Sequence, residues 1–203
     1  MDIKKIIIAV IIVIAGIFMY NKFSAAEIIN VGNGGSTIVC FGDSLTRGHG
    51  APQGSSYPDV LAKMVDRRVV NLGVNGDTAP AGLARIEQIK EHNPYMVIIE
   101  FSGNDFMRQV PFDQTIAATE KMVDYVQKQG AIAVVVETGG NFMLSKYGKE
   151  FKRISKEKGA IFVPAIMDDI LNNPKLKSDQ IHANAEGYKI VAQRVHKRIE
   201  KYL

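Results

Sequence analysis

The chain has 203 residues, 46% of them hydrophobic and 23% charged, with a formal net charge of +4. That length suits one domain with a sizeable core. Lys4, Lys5 and Lys22 against Asp2 place half of the excess charge in the first 26 residues, and the remaining +2 shows no basic stripe. Nucleic acid is therefore excluded as a natural partner. The single cysteine, Cys40, excludes an internal disulfide and reads as a small buried hydrophobe.

At the N-terminus, Lys4 and Lys5 precede an apolar run from Ile6 to Tyr20, followed by Asn21-Lys22 and Ser24-Ala25-Ala26. A positive, then apolar, then small-residue pattern is that of a secretory signal, here cleaved after Ala26. A retained membrane anchor is the alternative. The run is shorter than the roughly 20 residues of a spanning helix, but Lys22 can snorkel. Either way the lysines stay inside and the domain is expected outside the cytoplasm, with membrane contact possible through this segment. Residues 27–36, with Gly32-Asn33-Gly34-Gly35, read as a flexible tether, leaving 37–203 as the domain.

From Thr37 onward, strand and helix signals alternate. Thr37–Phe41 is the first strand. Tyr57-Pro58-Asp59 opens a helix to about Asp66, with Val60, Leu61, Met64 and Val65 on one face. Val69–Leu72 is the second strand, and Thr78 caps a helix carrying Leu83, Ile86 and Ile89. Tyr95–Phe101 is apolar apart from Glu100 and reads as a central strand. A helix from about Phe112 to Lys128 stops at Gly130, and Ala131–Val136 is the fourth strand. Ser145–Lys158 is a charged helix, Ala160–Val163 the fifth strand, Ile166–Leu171 a short helix, and Asn184 to Tyr202 the closing helix. Apolar strands separated by helices imply a parallel sheet covered on both faces, a three-layer α/β/α domain.

The chemistry collects just after the strands. Gly42-Asp43-Ser44-Leu45 follows the first, Asn71 to Asp77 with Gly76 the second, and Ser102-Gly103-Asn104-Asp105 the third. Asp179-Gln180-Ile181-His182 comes before the last helix. In a parallel sheet the first three loops open on one edge. Ser44 Oγ needs an imidazole to take its proton, His182 can supply it, and Asp179 can fix the tautomer. The N–H groups of Ser44 and Gly76 and the amide of Asn104 can serve a tetrahedral oxyanion. Asp43 reads as turn chemistry. His49, five residues past the serine, reads as a rim residue. Phe142, Met143 and Leu144 read as an acyl-chain wall. No metal or nucleotide motif is present, so no cofactor is expected.

These segments resemble the sequence blocks of the GDSL (SGNH) hydrolase superfamily. Gly42-Asp43-Ser44-Leu45, Asn71 to Gly76, Gly103-Asn104-Asp105 and Asp179-x-x-His182 carry the resemblance across residues 37–203. Gly76-Asp77-Thr78 and Gly82-Leu83-Ala84-Arg85 look closest to the bacterial acyl-CoA thioesterase, lysophospholipase and arylesterase group. The resemblance implies a flavodoxin-like fold with five parallel strands in the order 2-1-3-4-5. It implies a Ser44 nucleophile, an oxyanion hole from Ser44, Gly76 and Asn104, and a triad completed by Asp179 and His182. It also implies a small-molecule or lipid ester as substrate, and no obligate protein partner is inferred. In two places the chain departs from the pattern: Ser102 stands where a glycine is usual, and Ala183 where a proline often follows the histidine. The expected activity is an esterase or thioesterase. A polysaccharide O-acetylesterase is one alternative, and a non-catalytic surface-tethered binding module is another.

Overall fold

The computed structural model describes residues 6–7, 10–12, 27–139 and 144–203. The proposed leader lies almost wholly outside these residues, as do Phe142 and Met143. Among the described residues, no helix is long and apolar enough to cross a membrane.

The strands are β1 (Thr37–Gly42), β2 (Arg68–Gly73), β3 (Pro94–Glu100), β4 (Ile132–Val136) and β5 (Ile161–Val163). They form one parallel sheet in the order β2-β1-β3-β4-β5. Register places Cys40 between Asn71 and Ile98. Alternate side chains along each strand serve different cores, which is why the strands read as unbroken apolar runs. Ile38, Cys40, Met96, Ile98, Val134 and Val163 face one layer, and Val39, Phe41, Val97, Ile99 and Val135 the other.

The helices are α1 (Ser44–Arg47), α2 (Tyr57–Leu61), α3 (Ala79–Ala84), α4 (Gly103–Met107), α5 (Phe112–Lys128), α6 (Ser145–Lys158) and α7 (Ala185–Ile199). The first core is closed by α2 and α7 through Tyr57, Leu61, Tyr188, Val191 and Val195. The second is closed by α3, α5 and α6 through Ala79, Met122, Val123, Phe151 and Ile154. Cys40 is fully buried, and burial pushes its thiol up to about 12, so it serves packing.

Several local expectations need correction. The helix opened by Tyr57 ends at Leu61, because Lys63 and Met64 donate three residues back, to Val60 and Leu61, in tight turns. The helix after Thr78 divides at Arg85 and continues as a 3₁₀ helix over Ile86–His92. The Arg85 guanidinium turns inward to the carbonyls of Leu72 and Gly42, tying the ends of β2 and β1 together. Residues 166–171 form turns rather than a helix, with Ala165 and Asp169 at φ 39° and 62° interrupting any helical run. The stretch 27–36, read as a tether, is strapped to the floor of the sheet. Asn30 Nδ2 donates to the carbonyls of Gln127 and Ala131, and Asn33 Nδ2 to that of Tyr95.

Candidate active site

The chain goes from β1 to β2 on one side and to β3 on the other, so a crevice opens beyond the carboxyl ends of β1 and β3. Ser44 and Asn104 enter it from those two strands. Gly42 makes the turn possible: a Cβ there would stand 2.2 Å from Thr46 Oγ1 and 2.5 Å from the Glu100 carbonyl. Asp43 then caps α1, its Oδ1 accepting from the Leu45 N–H at 2.9 Å.

His182 comes from a small hairpin before α7. Lys177 and Ala183 form an antiparallel bridge, and the Ser178 N–H donates to the His182 carbonyl. Asn184 closes the hairpin, its Oδ1 capping α7 at Gly187 while its Nδ2 holds the Lys175 carbonyl. At the tip, Asp179 Oδ1 accepts the N–H groups of Ile181 and His182, both at 2.8 Å. Its Oδ2 accepts from His182 Nδ1 at 2.7 Å, and His182 Nε2 lies 2.9 Å from Ser44 Oγ. Burial pushes the Asp179 carboxyl up, but the Ile181 N–H, the His182 side chain and the His182 N–H outweigh it and leave it at about 2. Asp179 is therefore ionised across the neutral range and fixes Nδ1 as the protonated nitrogen, leaving Nε2 to accept from serine.

Asn104 is buried, and its Nδ2 donates to Asp43 Oδ2 at 2.9 Å. An amide nitrogen carries two hydrogens, so one remains for the crevice. Gly76 lies in the loop after β2 at φ 80°, beside the Arg108 guanidinium, and does not line the cavity that holds Ser44, Asn104 and His182. That cavity, about 180 Å³, is walled by Leu45, Phe106, Met107, Leu144, Leu171 and Ile181. Of the expected acyl wall, Leu144 is in place; its two neighbours lie outside the described residues.

Sequence reasoning passed over a buried polar network beneath the serine. Glu100, the last residue of β3, has no solvent exposure and accepts from Thr46 Oγ1 at 3.1 Å and Thr138 Oγ1 at 3.2 Å. It also meets the Asp43 carboxyl. Burial and then the Glu100 charge push Asp43 well above the ordinary carboxylate range, while burial raises Glu100 against hydrogen bonds that partly restore it. Each carboxyl of the pair therefore favours its protonated form more than an exposed carboxyl does. Glu100 was visible as the one charge in an apolar strand. A charge in such a run signals a paired buried group, which is how it could have been found. Asp105 is a second case: fully buried, it accepts the Ala79 N–H at the start of α3 and the Thr115 hydroxyl of α5.

Ser102 has φ 141°, in the region that favours glycine, which accounts for the glycine usual at this point of the motif. Its hydroxyl meets Thr138 Oγ1 at 3.1 Å and so joins the same network. His49 sits at the mouth, its ring centroid 4.4 Å from that of His182.

A serine, an imidazole and a carboxylate in one hydrogen-bonded line, on a parallel sheet with helices on both faces, define a serine hydrolase acting on ester bonds. A model of the GDSL-like lipase/acylhydrolase family matches residues 40–190, and the chain belongs to that family. It is 25% identical over 181 residues to an arylesterase of Vibrio mimicus, covering 82% of this chain and 89% of that one. It is 25% identical over 176 residues to the thioesterase 1/protease 1/lysophospholipase L1 of Escherichia coli K12, covering 81% and 83%. Among solved structures, the esterase EstA of a Pseudoalteromonas species superposes with a TM-score of 0.74 at 24% identity, covering 82% of this chain and 98% of that one.

Proposed function

We propose that the protein hydrolyses carboxylic esters or thioesters with short to medium acyl chains through an acyl-enzyme on Ser44. The observation that carries this reading is the unbroken line Ser44 Oγ, His182 Nε2, His182 Nδ1 and Asp179 Oδ2, at 2.9 and 2.7 Å. Ser44 Oγ attacks the acyl carbon as its proton passes to His182 Nε2. Asp179 stabilises the imidazolium and keeps Nδ1 protonated. The oxyanion is received by Asn104 Nδ2 and by the Ser44 N–H, which as the first of a helix has no intrahelical acceptor. The Gly76 N–H, the third donor that the family resemblance implies, stands in the loop after β2 outside the wall of the cavity that holds Ser44. Collapse expels the alcohol or thiol, which takes the proton from His182. Water then attacks the Ser44 ester with His182 as base, releasing the acid and restoring the serine.

The apolar part of the cavity wall, Leu45, Phe106, Met107, Leu144, Leu171 and Ile181, supports an acyl group bound beside Ser44. Aryl esters, thioesters and lysophospholipids are the ester classes suggested by the names of the relatives. An O-acetylesterase acting on cell-wall or other polysaccharide is a second reading, favoured by the export pattern of the leader. Rates on p-nitrophenyl acetate, butyrate and octanoate, with Ser44→Ala as control, test both. Activity on butyrate or octanoate that vanishes in Ser44→Ala is expected; full activity in Ser44→Ala contradicts the mechanism. Strong octanoate turnover contradicts the acetylesterase reading.

The leader supports an extracytoplasmic domain, secreted or anchored through residues 6–20. N-terminal sequencing of protein recovered outside the cytoplasm tests this. A start at Glu27 indicates cleavage, an intact leader indicates an anchor, and recovery in the cytoplasm alone contradicts the placement.

A further inference from the structure

His49 arrives at the triad from the loop after α1 and is not used by the chemistry above. Its ring tilts 53° against that of His182 at a centroid distance of 4.4 Å. Gly48 and Gly50, at φ 88° and 87°, flank it. The loop is held to the histidine hairpin: the Tyr188 hydroxyl donates to the His49 carbonyl at 2.7 Å, and a Cβ on Gly50 would lie 1.9 Å from Ser178 Oγ. One ligand atom from each of His49, Asp179 and His182 falls within 4.8 Å of the others, at a mouth where His49 and Asp179 are exposed.

We propose that His49, Asp179 and His182 form a binding site for a zinc-class divalent cation, and that an ion held there switches the hydrolase off. Two imidazoles and one carboxylate are a donor set for zinc, with a fourth position left to water. Nitrogen donors disfavour magnesium and calcium, which take oxygen. Donors about 2.1 Å from a tetrahedral ion lie roughly 3.4 Å apart, so the outermost pair must close by about 1.4 Å. The exposed ring of His49, between its two glycines, has the freedom to do so.

The consequence for turnover follows from the hydrogen bonds of His182. Its Nε2 faces Ser44 and its Nδ1 faces Asp179. Whichever nitrogen the ion takes, it removes a contact that the triad needs, so a bound ion and a working base exclude each other. The off-switch rests on the triad mechanism proposed above, whereas the site itself does not. Nothing in the spacing of the sequence announces it, because His49 and His182 stand far apart in the chain and meet only in the fold.

The test uses chelator-stripped protein titrated with zinc, reading binding by calorimetry and p-nitrophenyl acetate hydrolysis in parallel, for the wild type, His49→Ala and His49→Gln. The wild type should bind zinc and lose hydrolysis, with EDTA restoring it. Both variants should hydrolyse at the wild-type rate without zinc and need about tenfold or more metal for binding and for inhibition. Cobalt should give the visible absorption of a tetrahedral site in the wild type and lose it in the variants. Equal zinc affinity in all three proteins, no binding to the wild type, or binding without inhibition would overturn the proposal. Histidine-dependent zinc binding in a protein inert to every ester would support the site while sinking the esterase mechanism.

Discussion

Asn104 gives one of its two amide hydrogens to Asp43, at 2.9 Å, inside the crevice where the other can meet an oxyanion. In the proposed mechanism the aspartate next to Ser44 therefore aims a donor that comes from a different strand. A protonated Asp43 can accept from Asn104 and still donate to Glu100. D43N offers Asn104 an amide nitrogen where it now finds an acceptor, or takes the Glu100 contact away. We expect D43N to fold, to keep KM within a few-fold, and to lose up to about 10² in kcat, as part of one oxyanion donor is lost. Steady-state kinetics with circular dichroism check this; an unchanged kcat contradicts the aiming role.

The same proton has a thermodynamic signature. The folded chain holds the Asp43 proton well above the pH at which an unfolded aspartate, with a pKa of about 3.9, releases it. Folded protein then binds more protons than unfolded protein, so stability falls as pH rises from about 4 toward the raised folded value. Glu100, also raised, acts with the same sign. D43N cannot titrate, so its melting temperature should drop less than that of the wild type as pH rises from about 4. Equal drops would mean that the pair does not hold a proton.

Ser102 sets backbone strain against a hydrogen bond. A non-glycine residue at its φ of 141° costs on the order of 1–3 kcal/mol, while its bond to Thr138 contributes about 0.5–1.5 kcal/mol. Strain is the larger effect, so S102G should stabilise the fold by about 1 kcal/mol, raising the melting temperature by roughly 2–4 °C. A lower melting temperature would mean that the hydroxyl matters more than the backbone.

Asp179 is tested by D179N. The amide retains an oxygen for the Ile181 and His182 N–H groups, so the hairpin should survive. Its nitrogen can donate to His182 Nδ1 and select the wrong tautomer, which should reduce kcat by about 10³–10⁴ with little change in KM. Turnover at the wild-type level would remove Asp179 as the orienting group.

How legible this site was depends on how far each residue's partner lies. Ser44, Asn104 and the Asp179–His182 pair could be read because each follows a strand or closes a local turn, and strand ends in a parallel sheet share an edge. Strand order needed the family resemblance, since apolar runs carry no record of their neighbours. Glu100 and Asp43 were harder: what raises both carboxyls is burial and a contact between β3 and the turn after β1, neither of which has a sequence period. Asn30 and Asn33 read as flexible because asparagine and glycine suit loops, yet their amides reach carbonyls on distant elements. The expected helix over 166–171 failed for a local reason, the positive φ of Ala165 and Asp169, which residues other than glycine seldom announce.

The proposed chemistry rests on a Ser44 nucleophile activated by His182. Reaction with a fluorophosphonate, followed by tryptic mass spectrometry, reads it without choosing a substrate. We expect one stoichiometric adduct on Ser44, formed far more slowly in His182→Ala and absent in Ser44→Ala. An unmodified Ser44 in folded wild-type protein, or an adduct elsewhere that persists in Ser44→Ala, would contradict the account.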